Sequence, residues 1–202
     1  AEGFLMRELD GRSYTPGRRL RRLSTNVLSS LRIRTARLAV LGRLAETIGE
    51  TCNIAVPDRE AMVYLDRVET KWPLRIQLPV GTQVPFHCTA SGKMYLATLN
   101  DAHLESYLRA ATLERRTERT LTDVDALRDE IRRTREREMA EDAEEFMEGM
   151  IAAAVPIRAD QGRMVSTVSF HAPTLRMSMT QARRHEPLLR AAAQELSSLL
   201  VA

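Results

Sequence analysis

The chain has 202 residues, 44% hydrophobic and 28% charged, enough apolar content for one sizeable core plus an appendage. It holds no apolar run of about eighteen residues or more and no charged start followed by an apolar stretch and cleavage site, so neither a membrane span nor a secretory signal is expected. The net charge of +3 is uneven: residues 1–45 carry ten arginines against three acids, while the rest carry 20 basic against 24 acidic residues, which suits a basic end beside a polyanion such as DNA or, equally, a solvated basic helix.

In chain order, "GFLMRELDGRSYTPG" reads as a small hairpin turning at Asp10-Gly11, with Phe4, Met6 and Leu9 before the turn and Tyr14 after it. Two strands this short are marginal alone, so the hairpin is expected to be the tail of an upstream unit. Leu20, Leu23, Val27 and Leu31 then follow helical spacing, and Leu38, Leu41, Leu44 and Ile48 do so again. Two helices with a bend near 30–35 are expected, with Thr35 as N-cap of the second and Gly49 as its stop.

From Thr51 the period changes. "TCNIAVP", "AMVYLDRV" and "LRIQLPVG" read as three strands. Helices are expected near 89–99 and 101–110. A further helix starts at Thr122 or Asp123 in "LTDVDALRDEIRRTREREMAEDAEEF", with Val124, Leu127 and Ile131 as its apolar stripe and Asp129–Arg133 as a surface pair. "IAAAVPIRADQGRMVSTVSFHAP" reads as a second hairpin turning at Asp160–Gly162, with alternation at Met164, Ser166, Val168 and Phe170. A closing helix runs from about Thr180 to Leu200. The expected fold class is α+β: a central antiparallel sheet with helices on one side, preceded by a linker helix and a β-hairpin.

The two cysteines, Cys52 and Cys88, form neither a disulfide framework nor a C-x-x-C pair, so a reducing cytoplasmic setting is expected. The densest chemistry lies in "PFHCTASGKMYLA", Pro85 to Ala97, with four readings. As a Cys–His nucleophile pair, His87 and Cys88 are adjacent, and in extended backbone their side chains point to opposite faces. As a phosphate cradle, Gly92-Lys93 is followed by Met94 and lacks the further glycines a P-loop needs. As a metal site, the histidines 87, 103, 171 and 185 show no ligand spacing. As a strand end, turn and helix start, Thr89 or Ser91 caps a helix whose free amides favour an anion, or simply caps it.

These residues carry a resemblance. "LPVGTQVPFHCTASGKMYLA" resembles the pattern L-P-V-G-x-x-x-P-L-H-x-T-A-x-G-K-A-x-L-A of the isocitrate lyase regulator (IclR) family of bacterial transcription factors. "GETCNIAVPDREAMVYLDRVET", "LERRTERTLTDVDALRDEI" and "EDAEEFMEGMIAAAVPIRADQGRMVSTVSFHAP" resemble further blocks of that family, in the same order across about 180 residues. The resemblance implies a winged helix-turn-helix, a linker helix and a GAF-like effector domain. Residues 1–17 would be the wing, 18–34 the linker and 35–202 the effector-binding domain.

Carried over by motif, the effector pocket would be walled by Ile76 and Val84 on strands and by Cys88, Thr89, Ala90 and Ser91 on the loop. Asp142, Ala152, Ser169 and His171 complete it. Two departures stand out: Ala152 replaces the family's usual cysteine or serine, and His171 replaces a small hydroxyl. Asp142 also reads as a plain helix-end or loop acid and His171 as a satisfied histidine at a strand end, while Phe146 and Met147 either line the pocket or pack.

The resemblance further implies a ligand-responsive regulator with no enzymatic activity, no cofactor and no metal. Its partners would be a small organic acid, aromatic members included, operator DNA, and further copies of itself as a homodimer or homotetramer, with no membrane. Arg7, Arg12 and Arg18 would touch DNA phosphates, and Leu20, Leu23, Val27 and Leu31 would form a dimer seam. Two alternatives stay open: a GAF-like enzyme or signalling module using Cys88 covalently, and a dimerisation scaffold whose pocket is filled by its own side chains.

Overall fold

The computed structural model describes residues 4–7, 14–17, 19–21, 31–73, 75–159 and 162–200, in two compact units, 1–37 and 38–202. In the first, β1 (Leu5–Arg7) pairs antiparallel with β2 (Tyr14–Pro16), Met6 opposite Thr15. The hairpin is therefore present, closed by Gly17 N–H donating to the Phe4 carbonyl at 2.6 Å, and the Arg19 guanidinium stacks 5.4 Å from the Phe4 ring centre. The Asp10-Gly11 turn lies outside the described residues, as do Arg12, Arg18, Leu23, Val27 and the side chains of Arg7 and Leu31.

Helix α1 spans Leu31–Ile48 without a break, so Thr35 is an interior residue and not an N-cap. Val40, Leu41, Leu44, Ala45 and Ile48 are buried on one stripe, the 3.6-residue period of a core-facing helix. Gly49 ends it at φ +80°, its N–H donating to the Ala45 carbonyl at 2.8 Å; that left-handed conformation suits glycine.

The second unit is built on β3 (Thr51–Asp58), β4 (Ala61–Val68), β5 (Gln83–Pro85), β6 (Ala140–Ala143), β7 (Met150–Arg158) and β8 (Met164–Pro173). They form one antiparallel sheet in the order β5-β4-β3-β8-β7-β6. The helices are α2 (Ala90–Thr98), α3 (Asp101–Ala110), α4 (Val124–Arg137), α5 (Met179–Arg183) and α6 (Glu186–Ser198). The α+β expectation holds, but helices cover both faces of the sheet. On one face α1, α5 and α6 pack on Cys52, Ile54, Ile151, Ala153, Val155, Val168 and Phe170. On the other, α2, α3 and α4 pack on Ala55, Met62, Tyr64, Val84, Ala152 and Ala154. Two faces need two apolar sets, which is why β8 is buried continuously from Ser166 to Pro173 rather than alternating.

Four further expectations are corrected. "LRIQLPVG" is no strand: residues 75–79 are irregular, Arg67 Nη2 donates to the Ile76 carbonyl, and only Gln83–Pro85 pairs with β4. The charged helix stops at Arg137, where Glu138 turns left-handed at φ 50°, and residues 140–143 form the edge strand β6 instead of more helix. Asp129 pairs with Arg132 and Arg133 with Glu130, each at i,i+3. The closing helix is broken at residues 184–185, with Pro187 in the first turn of α6, where its missing N–H costs nothing.

Candidate functional site

On β3, β7 and β8 the period-2 alternation sends Asn53, Ala152, Ser169 and His171 to the face that α2 covers. The start of α2 is anchored there by two devices. Thr89 is the N-cap: its Oγ1 accepts from Gly92 N–H at 3.1 Å and donates to the Pro85 carbonyl at 2.7 Å. Gly92 is required by close approach, since a Cβ there would lie 2.4 Å from both Phe86 Cα and Phe86 O and 2.6 Å from Pro85 O. The first-turn amides of Ala90 and Ser91 lie beyond the reach of intrahelical partners and carry the positive end of the helix dipole.

Between this helix start and the sheet lies a nearly closed cavity lined by Tyr64, Thr89, Ala90, Ser91, Asp142, Phe146, Met150, Ala152, Ser169 and His171. Its free interior is about 10 Å³, room for one water, within about 290 Å³ of non-atom space. Its polar lining is deeply buried, with Asp142 0% exposed and His171 3%.

Asp142 sits opposite Ala152 in the β6–β7 register and caps the turn that follows, its Oδ1 accepting from the amides of Glu145 at 2.7 Å and Phe146 at 3.3 Å. Its Oδ2 has no hydrogen-bond partner among the described residues. Burial, reinforced by the Glu145 charge and opposed by Lys93, raises this carboxyl to about 7. Lys93, on α2, is 1% exposed and paired with Glu145. A lone buried ammonium would be prohibitively costly, and Glu145 answers it across 52 residues of sequence. Burial also raises the Glu145 carboxyl, against the pull of Lys93, and its Oε2 too has no partner among the described residues.

His171 receives a hydrogen bond at Nδ1 from Asn53 Nδ2 at 3.3 Å, while its Nε2 has no partner among the described residues. Burial, with the nearby Arg67 charge and against the pull of the Ile76 carbonyl and Glu69, lowers its pKa to about 3, so the ring is neutral.

Seven of the ten residues expected in the pocket therefore meet in one cavity: Thr89, Ala90, Ser91, Asp142, Ala152, Ser169 and His171. Three do not line it. Ile76 lies on irregular chain, and Val84 is packed in the core between β4 and the helices. Cys88 is wholly buried, and burial pushes its thiol up to about 12. A thiol so held supplies little thiolate. The neighbouring His87 imidazole donates from Nε2 to the Glu114 carbonyl at 2.9 Å.

Tyr64 and Met150 were missed because they read as ordinary strand residues. Phe146 lines the cavity, whereas Met147 is 37% exposed. The Lys93–Glu145 pair was missed too; a lysine in an otherwise small and apolar helix stretch, 90–97, was the available signal. A larger open groove of about 470 Å³ runs past Tyr95, Arg135, Arg158 and Arg163. Two of its arginines are already engaged, Arg135 by Asp101 and the carbonyls of Ala97 and Leu99, Arg158 by Glu138 and the Gly162 carbonyl, so it offers a guest less unsatisfied chemistry.

Comparison with known proteins adds the following. The family model described as "Bacterial transcriptional regulator IclR C-terminal" matches residues 25–198. The chain is 40% identical over 193 residues to the probable transcriptional regulator SauR of Cupriavidus necator, covering 96% of this chain and 77% of that protein. The crystal structure of the Thermotoga maritima IclR is similar with a TM-score of 0.80 at 30% identity, over 100% of this chain and 81% of that one. The inducer-binding domain of an Acinetobacter PobR double mutant, in complex with 3-hydroxybenzoic acid, is similar with a TM-score of 0.72 at 26% identity, over 79% of this chain and 94% of that one.

Proposed function

The chain belongs to the IclR family of bacterial transcriptional regulators, and from that premise we propose that residues 38–202 bind a small organic acid and couple it to operator binding. One observation carries the reading: buried polar atoms with no partner among the described residues, Asp142 Oδ2 and His171 Nε2, belong to residues that line the nearly closed cavity at the start of α2. Unsatisfied polar atoms cost about 1–3 kcal/mol each, and a guest with oxygens on both ends would relieve that cost. The carboxylate of such a guest takes the free amides of the first turn, a ready anion site. The hydroxybenzoate held by the Acinetobacter PobR domain supports the class of guest.

A filled scaffold would also have little free interior, as here, but it would leave no orphaned polar atoms inside. With about 10 Å³ open, the guest is either very small or enters as Phe146 and Met150 move aside. Binding better to one arrangement of the effector domain than another shifts the population between them. The hairpin and the arginine-rich end would follow, with Arg7, Arg12 and Arg18 on DNA phosphates and a homodimer or homotetramer setting the spacing of the DNA-binding heads. Cys88 takes no covalent part, being held as a thiol.

The test is thermal unfolding of the full chain with acetate, glycolate, oxalate, benzoate and 4-hydroxybenzoate. A ligand at 100 times its dissociation constant adds about 2.7 kcal/mol. Stabilisation by one or more of these acids, absent in His171→Phe, is expected. No shift with any acid favours the scaffold.

A further inference from the structure

Arg67, on β4, has a side chain only 3% exposed, and a guanidinium can only donate hydrogen bonds. Its Nη1 lies 3.0 Å from one end of the Asn53 side chain, which must therefore be the carbonyl oxygen, Oδ1. The other end is then the amide nitrogen, Nδ2, which can only donate, and it lies 3.3 Å from His171 Nδ1. The Ile76 carbonyl also reaches the ring, but it already accepts from Arg67 Nη2, so the Asn53 amide decides and Nδ1 is the bare, accepting nitrogen. The ring is neutral, so its single proton sits on Nε2. Nε2 is the orphaned atom of the ring that lines the cavity. Arg67 is itself held from two other sides, Nε donating to Glu69 Oε1 at 3.2 Å and Nη2 to the Ile76 carbonyl, so the relay starts from a fixed point.

We propose that Arg67 and Asn53 are specificity-determining positioning residues, which lock His171 in its Nε2–H tautomer and so make that wall of the cavity a fixed donor for an oxyanion. A hydroxyl at position 171 rotates and serves as donor or acceptor. An imidazole held at Nδ1 does not, so it favours a carboxylate or other anionic oxygen and disfavours a guest that presents an N–H or O–H there. The inference rests on the effector reading above and deepens it.

Asn53→Asp keeps the oxygen facing Arg67 but turns the group facing Nδ1 into an acceptor. The ring proton moves to Nδ1, and Nε2 becomes a bare lone pair. Long-range nitrogen–proton correlation spectra of the full chain at pH 8, with His171 assigned by its loss in His171→Gln, read this directly. The wild type is expected to show the Nε2–H ring and Asn53→Asp the Nδ1–H ring. Calorimetry with glycolate and with 4-hydroxybenzoate is the second readout, with affinity for whichever acid binds falling about 10-fold or more in Asn53→Asp. If that variant does not fold, Asn53→Ala replaces it and should populate both tautomers. An Nδ1–H ring in the wild type overturns the relay whether or not an acid binds, as does an unchanged ring in the variants. Equal affinity in wild type and Asn53→Asp overturns the specificity role, and so does failure of both acids to bind the wild type, an outcome that counts against the effector reading while the spectra still decide the relay.

Discussion

Asp142→Asn isolates a desolvated ionisation in the cavity. Asn keeps an oxygen for the amides of Glu145 and Phe146 and removes only the charge. In the folded chain the Asp142 carboxyl is raised to about 7 from 3.8 because burial penalises its ionised form. A carboxyl raised on folding contributes stability that is present below its unfolded pKa and is lost as pH rises through the folded value. Here the window runs from about pH 4 to about pH 7. At about 1.4 kcal/mol per pH unit the full loss is about 4 kcal/mol, of which about 2–3 kcal/mol falls between pH 5 and pH 8. Glu145, also raised, has the same sign; His87 and His171, both lowered by burial, have the opposite sign and gain stability as pH rises through the ordinary histidine range. All three are present in both proteins, so the difference between wild type and variant reports Asp142 together with its coupling to Glu145. The assay is urea denaturation by circular dichroism at pH 5, 6, 7 and 8. The variant should gain about 2–3 kcal/mol on the wild type between pH 5 and pH 8. Parallel stability curves would refute the argument that this carboxyl is charged at a desolvated site.

Lys93→Met strips the buried carboxyls of their cation and should cost about 3–5 kcal/mol at pH 8, and less at pH 5 where both carboxyls can take a proton; the same denaturation series checks it, and an equal cost at both pH values would contradict it. Gly92→Ala drives a Cβ into the backbone of Pro85 and Phe86 and should destabilise by about 1–3 kcal/mol while abolishing any acid-induced thermal shift; unchanged melting would show that the loop yields freely. Cys88→Ala should cost about 1 kcal/mol of packing yet keep the acid-induced shift, and loss of that shift in thermal unfolding would bring the sulfur back into the site.

What was legible in the sequence was whatever short-range chemistry decides. The hairpin at the N-terminal end, the Thr89 and Asp123 caps, the Gly49 stop and the β7–β8 hairpin each depend on residues within a few positions of one another, and each is present. Seven residues named from the ordered blocks lie around one cavity, because those blocks carry the strand ends and the helix start that converge there. Ile76 was misplaced because a run rich in Leu, Ile and Val matches strand composition, whereas pairing depends on a neighbour, and β4 takes up Gln83–Pro85 instead.

Amino-acid order alone thus determined most of the helices and strands, several of their caps and the family pattern of the site. The tertiary structure decided that both faces of the sheet are covered, that residues 140–143 close its edge, that Lys93 is buried against Glu145, and that His171 reaches Asn53 across 118 residues. The reason is one of range. Dihedral preferences and caps act over one turn of chain, while the solvation of a charge and the tautomer of a ring are set by whichever distant groups the fold brings within about 3 Å.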